Sequence, residues 1–273
     1  FINRLAGKAA ALVGFLFFMF LPIHVEAVTS IVGRAEILSL LFVVGALLVS
    51  LKKKYILASG LFFLGLLSKE VAVAFLPIFL FLEFFWHKND IRSVVRGSLF
   101  FIPPVVIYAI LRYAALGEYF LENDATLVYN PIKFAPFLSG LWTSFKVFYL
   151  YIEKMFYPLS FSIDYSFNQV SLVGNPFSSV EAVLGIVILG LAILLFFKTK
   201  DFMLRLGIVT FLSSYFVISN WIFKTGTIMA ERLMYMPSLG LVMLLASILN
   251  FKFSIFNQNS KFKILNSRTI YCL

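Results

Sequence analysis

Charge is scarce in this chain. Lys, Arg, Asp and Glu make up 13% of its 273 residues, against about 25% in a soluble globular domain. Cysteine is scarcer still: Cys272, near the C-terminus, has no second thiol to pair with, so an internal disulfide is excluded and the redox compartment is unreadable. Histidine occurs only as His24 and His87, which leaves a metal site thinly supplied. The sequence has no Walker loop, dinucleotide fingerprint, lipase-type elbow or zincin helix. It also shows no cleavable signal peptide, internal repeat or low-complexity linker.

Apolar residues fill the space that charge leaves. They account for 61% of the chain, with 34 Phe, and the mean hydropathy is +0.96. This composition predicts an all-α fold: a polytopic transmembrane helical bundle. The net charge of +10 does not point to nucleic acid, because the basic residues lie between apolar runs and not on a separate soluble face. Eight spans are expected, at about 9–22, 35–51, 55–69, 71–86, 98–114, 180–197, 204–221 and 234–250. The stretch 137–157 is apolar but interrupted by Lys146, Glu153 and Lys154, and reads as an interfacial or re-entrant helix. The chain opens on Phe1 and leads at once into a span, so a fragment of a longer protein is expected.

Orientation follows from the basic residues. Arg4 and Lys8, the connectors 52–54, 87–96 and 198–205, and the tail from Lys252 to Arg268 together hold 15 of the 23 Lys and Arg. That side should be cytoplasmic. About 10 of the 13 acids fall on the other side. The expected organisation is N-terminal membrane helices over 1–114, an outer or luminal segment over 115–179, C-terminal membrane helices over 180–250, and a cytoplasmic tail over 251–273.

This topology collects the unusual polar residues on one face. His24, Glu26, Arg34 and Glu36 lie between two apolar runs, where ionisable groups are costly and are functional candidates by default. His24 is a candidate hydrogen-bond donor, proton carrier or metal ligand, or a structural histidine capping a span. Arg34 can grip a phosphate through its planar fork, or snorkel to lipid headgroups. Glu36 lies two residues from Arg34 and does not face it on a helix, so Lys69 or Arg232 is its expected partner. Lys69-Glu70 sits at the tip of a helical hairpin, where a plain interfacial anchor is the ordinary alternative. In Glu231-Arg232, Arg232 is a second candidate phosphate ligand with Glu231 orienting it, against an exposed ion pair of small value. Asp164, in the outer loop with Asp124, is a candidate base or sugar-hydroxyl ligand. The aromatic run 145–167 offers a stacking surface, a grip for a lipid tail, or an interfacial belt.

The motifs also carry a family likeness. The segment Pro22-Ile23-His24-Val25-Glu26-Ala27-Val28, running into Gly33-Arg34-Ala35-Glu36, resembles the signature of TMTC-type O-mannosyltransferases, which are transmembrane and TPR-repeat-containing proteins. Leu67-Ser68-Lys69-Glu70 resembles the next marker of that family. Asn130-Pro131, Tyr157-Pro158 and Asp164-Tyr165-Ser166 look like its middle domain. Ala230-Glu231-Arg232-Leu233-Met234-Tyr235-Met236-Pro237-Ser238 resembles its last block. The resemblance covers about 22–240, in family order, and departs from it at Leu21, where the family has His.

The resemblance implies a GT-C fold and an inverting-type hexosyltransferase with a polyprenyl-phosphate sugar donor. The sugar would be mannose, and the acceptor a protein Ser or Thr or a glycan. It implies that Arg34, Lys69 and Arg232 hold the leaving lipid phosphate, with His24, Glu26 and Asp164 as sugar contacts or supporting residues. The catalytic acids of the family would precede residue 1, and the TPR array would lie beyond the chain. No cofactor, metal or nucleic acid is expected, and the protein should be an integral, multi-pass membrane protein. A prokaryotic plasma membrane is favoured over endoplasmic reticulum. Two other classes remain: a transporter, flippase or polymerase-like carrier of a lipid-linked glycan, and an inactive membrane scaffold. The near absence of charge inside the spans argues against transport, which needs polar residues at mid-membrane.

Overall fold

The computed structural model describes residues 1–117, 126–162, 164–166 and 168–249, without the side chain of Ala6. The basic tail 252–268, Cys272, Asp124 and Phe167 lie outside the described residues.

Among these residues helix is the only regular structure. The α-helices are α1 (Ile2–Phe20), α2 (Val25–Thr29), α3 (Arg34–Ser50), α4 (Tyr55–Ser68), α5 (Phe75–Phe85), α6 (Ile91–Ser98), α7 (Ile102–Leu116), α8 (Phe137–Phe156), α9 (Val180–Lys198) and α10 (Phe202–Ile218). A last helix, α11 (Glu231–Leu249), opens with the 3-10 turn Glu231–Met234. Local chemistry sets several boundaries. Asp90, Ser179 and Asp201 cap α6, α9 and α10 by accepting backbone N–H bonds. Gly7, at φ 85, interrupts α1. Lys69 is extended at φ −159, ψ 139, so α4 stops at Ser68, and a 3-10 turn Glu70–Ala74 leads into α5.

Eight full crossings are not what the helix lengths give. Three helical stretches are long and apolar enough to cross a bilayer: Ile91–Leu116, Val180–Lys198 and Glu231–Leu249. A fourth is possible if Gly7–Phe20 and Pro22–Thr29, bent by 58°, count as one span. The expected spans 98–114, 180–197, 234–250 and 9–22 fall on these four. The other expected spans fall on α3, α4, α10 and the broken pair of the 70–74 turn with α5. At 1.5 Å per residue, the 14 residues of α4 reach only about 21 Å, against a hydrocarbon core of about 30 Å. The region 137–157, read as an interfacial or re-entrant helix, is the continuous helix α8. One face of it is buried, through Gly140, Ser144, Val147, Phe148, Tyr151 and Met155.

Close approach holds the bundle together. A Cβ on Gly240 would lie 2.3 Å from the Phe211 backbone N and 2.6 Å from the Gly207 O, so α10 and α11 meet backbone to backbone. Phe62, Phe75, Phe79 and Phe101 form one aromatic cluster, with ring centroids 4.6–5.9 Å apart.

The hairpin of α3 and α4 defines two ends about 20 Å apart. At one end Glu83 is fully buried and accepts hydrogen bonds from Tyr55 (3.1 Å), Asn89 and the His87 ring (3.1 Å). At the other end lie the starts of α3 and α11 and the finishes of α4 and α10. Every candidate residue among the described ones belongs to this second end.

Candidate functional site

A cavity of about 430 Å³ opens at this second end. Four segments far apart in sequence line it: Lys69-Glu70-Val71, Tyr129, Asp164-Tyr165, and the 217–233 region with Thr225, Gly226, Thr227 and Arg232. Each is delivered by a local device. The extended conformation of Lys69 turns the chain out of α4. Asn130 is fully buried and donates to Asn220 Oδ1 (3.0 Å) and Thr225 O (2.7 Å), while the Ile228 N–H donates to Tyr129 O (2.9 Å). Those bonds join the 126–133 and 219–230 loops into one wall. Asn220 holds the left-handed conformation at φ 58, which asparagine tolerates. Tyr151, fully buried on α8, donates to Ala230 O (3.1 Å) and accepts from Ala230 N–H (2.9 Å). It fixes the strand of chain that leads into Glu231-Arg232.

Two cations face the cavity, each backed by a carboxylate. Arg232 is paired with Glu26, which accepts from both the guanidinium and the Arg232 backbone N–H (2.9 Å). Lys69 is paired with Glu36 at 3.5 Å. That pair is ionic only: both oxygens of Glu36, a residue 1% exposed, lack a hydrogen-bond donor. The Nε of Arg232 is likewise buried without an acceptor. Glu26 and Glu36 sit in the first turns of α2 and α3, where the helix dipole favours negative charge.

The remaining carboxylates differ in availability. Glu70 is exposed and lines the cavity. Asp164 also lines it, but its two oxygens accept from the backbone N–H (2.9 Å) and hydroxyl (2.8 Å) of Ser166. Those bonds, from the Ser166 hydroxyl first, hold its carboxyl below the usual aspartate range. Glu231 is buried and does not touch the Arg232 side chain. It accepts from the Ser162 N–H (3.1 Å) and the Tyr165 hydroxyl, fastening the 162–166 loop to the start of α11. Burial, then the Glu231 hydrogen bond and charge, pushes the Tyr165 phenol above its ordinary range, so it stays a donor.

His24 and Arg34 stand apart from the cavity lining. His24 is buried between the rings of Phe18 (4.4 Å) and Tyr235 (4.7 Å), with Nε2 2.7 Å from Ser238 Oγ. It ties the Pro22–His24 turn to α11. Arg34 is exposed at the start of α3. Gly33 before it brings two backbones together, since a Cβ there would sit 2.2 Å from Ala27 O.

Sequence reasoning passed over two residues that shape this end. Tyr151 carried no signal beyond an aromatic on an apolar helix. Lys154 was visible only as an interruption. It is buried, donates to Ser160 O, and stands over the rings of Tyr165 (5.3 Å) and Phe161 (5.8 Å). Among the described residues no group of three or more His, Cys, Asp or Glu is placed to hold a metal.

The cavity has a neighbour. An apolar groove of about 610 Å³ runs between α5, α9 and α10, lined by Leu76, Pro77, Leu189, Ile193, Leu212 and Phe216. Val217 lines both the groove and the polar cavity. Together they form a polar chamber with two cations, one open carboxylate and an adjoining apolar trough. Chemically, that arrangement can receive an anion, sugar hydroxyls and a hydrocarbon chain.

Comparison with known proteins agrees with the motifs. No protein-family model matches the chain, and no solved structure matches it. The chain is 29% identical over 246 residues to a Caenorhabditis elegans protein named Protein O-mannosyl-transferase F38B6.6. The match covers 88% of this chain and 34% of that relative, so the chain spans about a third of its length. An animal relative lends no support to the expectation of a prokaryotic membrane. In its ordered motifs and over most of its length, the chain is thus similar to a protein named as a protein O-mannosyltransferase.

Proposed function

We propose that this chain is the donor-binding membrane part of a GT-C-type glycosyltransferase. It transfers a hexose, mannose by analogy with the named relative, from a polyprenyl-phosphate donor to a protein Ser or Thr on the outer or luminal face. The chain is multi-pass in this reading, with the short apolar helices packed among the longer ones.

The observation that carries the reading is the polar cavity joined to the apolar groove through Val217. A polyprenyl-phosphate sugar has the same three parts in the same order: hydrocarbon, phosphate, sugar. The tail lies in the groove of α5, α9 and α10. The phosphate meets Lys69 and Arg232, and the sugar hydroxyls meet Glu70 and the Thr225–Thr227 wall. In the transfer, the acceptor oxygen bonds to the anomeric carbon as the bond from that carbon to the phosphate oxygen breaks. The lipid phosphate leaves with its added negative charge. Two cations at the cavity wall stabilise that developing charge more in the transition state than in the donor. The residues named here bind and orient; the base that takes the acceptor's proton is not assigned among them. Glu26 and Glu231 act behind the cavity wall, and His24 and Arg34 at its margin.

The test is mannosyl transfer from dolichyl-phosphate mannose to a Ser/Thr-rich peptide by the full-length protein in lipid nanodiscs. The reading expects transfer, and a loss of at least about a hundredfold in Arg232→Gln, on the scale of removing one charged donor from a transition state. Unchanged transfer in a folded Arg232→Gln variant contradicts it.

A further inference from the structure

The two cations of the cavity are held in different ways. Glu26 pins Arg232 through its guanidinium and its backbone N–H together. Lys69 is a point charge on a flexible stem, and its pair with Glu36 lacks hydrogen-bond alignment. Lys69 keeps 26% of its side chain exposed and lines the cavity, whereas Glu36 is sealed behind it at 1%.

Glu36 is therefore a buried carboxylate set just behind the cation that faces the ligand; burial pushes its pKa above the ordinary glutamate range, and the Lys69 ammonium at 3.5 Å favours its charged form. The charges facing it are Lys69 and Glu70 from the turn after α4 and Arg232 from the start of α11. Glu70 is open to water and screened; Glu36 is not.

We propose that Glu36 sets how tightly the cavity holds an anionic lipid head group. It is a positioning residue that keeps Lys69 at the cavity wall, and its own charge limits the grip of Lys69 on phosphate so that the spent lipid phosphate is released. The inference rests on the lipid-phosphate reading of the cavity. A phosphate that reaches Lys69 comes within roughly 6–8 Å of the Glu36 carboxylate. At an effective dielectric near 20, one like charge at that range weakens binding by roughly ten- to a hundredfold. The sign separates this role from a plainly structural one. If Glu36 served only as a tether, neutralising it would loosen Lys69 and weaken binding. If it limits the grip, neutralising it tightens binding.

The experiment measures equilibrium binding and dissociation of farnesyl phosphate on the protein in nanodiscs, with farnesol as the uncharged control. Glu36→Gln is expected to bind farnesyl phosphate at least about tenfold more tightly and to release it more slowly, with farnesol unaffected. Glu36→Asp stays near wild type. In steady-state transfer, KM and kcat fall together in Glu36→Gln, because product release slows. Farnesyl phosphate binding that is unchanged or weaker in a folded Glu36→Gln variant overturns the inference. If that variant does not fold, the double variant Lys69→Gln with Glu36→Gln, which leaves neither charge of the pair unpartnered, replaces it. It should bind farnesyl phosphate more tightly than Lys69→Gln alone, and equal or weaker binding overturns the inference. Wild-type protein that does not prefer farnesyl phosphate to farnesol overturns the lipid-phosphate reading itself, and this inference with it.

Discussion

Tyr151→Phe tests whether the cavity wall is fixed from behind. The ring stays buried against Tyr215, at 6.0 Å and near-perpendicular, so packing is retained and one oxygen is lost. That oxygen serves both backbone groups of Ala230, at 2.9 Å and 3.1 Å. Removing it leaves a buried N–H and a buried C=O without their partner, at about 1–3 kcal/mol each, or about 2–6 kcal/mol together if the loop does not relax. Ala230 leads directly into Glu231 and Arg232, so the same change loosens Arg232 in the cavity. Thermal unfolding in detergent should show a drop of several degrees, and mannosyl transfer should fall with it. Tyr157, which is 64% exposed, supplies the control: Tyr157→Phe should change neither. A Tyr151→Phe protein with the melting temperature and transfer rate of wild type refutes the reasoning.

Three further outcomes follow from the same contacts. Glu26→Gln removes the charge that Arg232 leans on; because both side chains are partly exposed, the expected destabilisation is about 1–2 kcal/mol, read by thermal unfolding. Gly185→Ala would place a Cβ 2.1 Å from Phe145 O. The obstacle is backbone, so α8 and α9 must separate, at a cost of about 1–3 kcal/mol in the same unfolding assay. The turn at Asp164 should be acid-sensitive. Hydrogen bonds from Ser166 lower the Asp164 pKa in the folded protein, so its contribution is present above the ordinary carboxylate range near pH 4 and is lost as pH falls through the lowered value. Exchange protection at the Ser166 amide should drop across that acid range in wild type and stay level in Asp164→Asn.

Much of the architecture is readable from composition, but the depth of each helix is not. The apolar runs mark most of the helices; α2 and α6 fall outside them, α6 largely within the basic connector 87–96. The count of eight spans is not confirmed at α4 and α5: the turn at Lys69-Glu70 is readable in the sequence, but how far it shortens the two helices is not. The gathering of polar residues at one end is readable from charge alternation, and Lys69, Glu70, Asp164 and Arg232 do line one cavity. Who pairs with whom is less accessible. Of the two expected partners of Glu36, Lys69 and Arg232, the observed one is Lys69, because the hairpin places it nearby. The Glu26–Arg232 pair joins residues 206 apart in sequence, and no periodicity reports that. Adjacency misleads at Glu231-Arg232: the first turn of α11 sends the two side chains apart, one to Tyr165 and the other to Glu26. His24 shows the converse, a polar residue in an apolar stretch that finds its hydrogen bond on Ser238, 214 residues away.

The central claim is that a lipid phosphate sits across the cavity and the apolar groove. A photoreactive isoprenyl phosphate, with its reactive group on the hydrocarbon tail, tests this most directly when the adducts are mapped by mass spectrometry. The account predicts adducts on Leu212, Phe216 or Val217, with labelling abolished by excess farnesyl phosphate, undiminished by farnesol, and weakened in Arg232→Gln. Adducts confined to the opposite end, around Phe85 and Trp86, or labelling displaced equally by farnesol, contradict it.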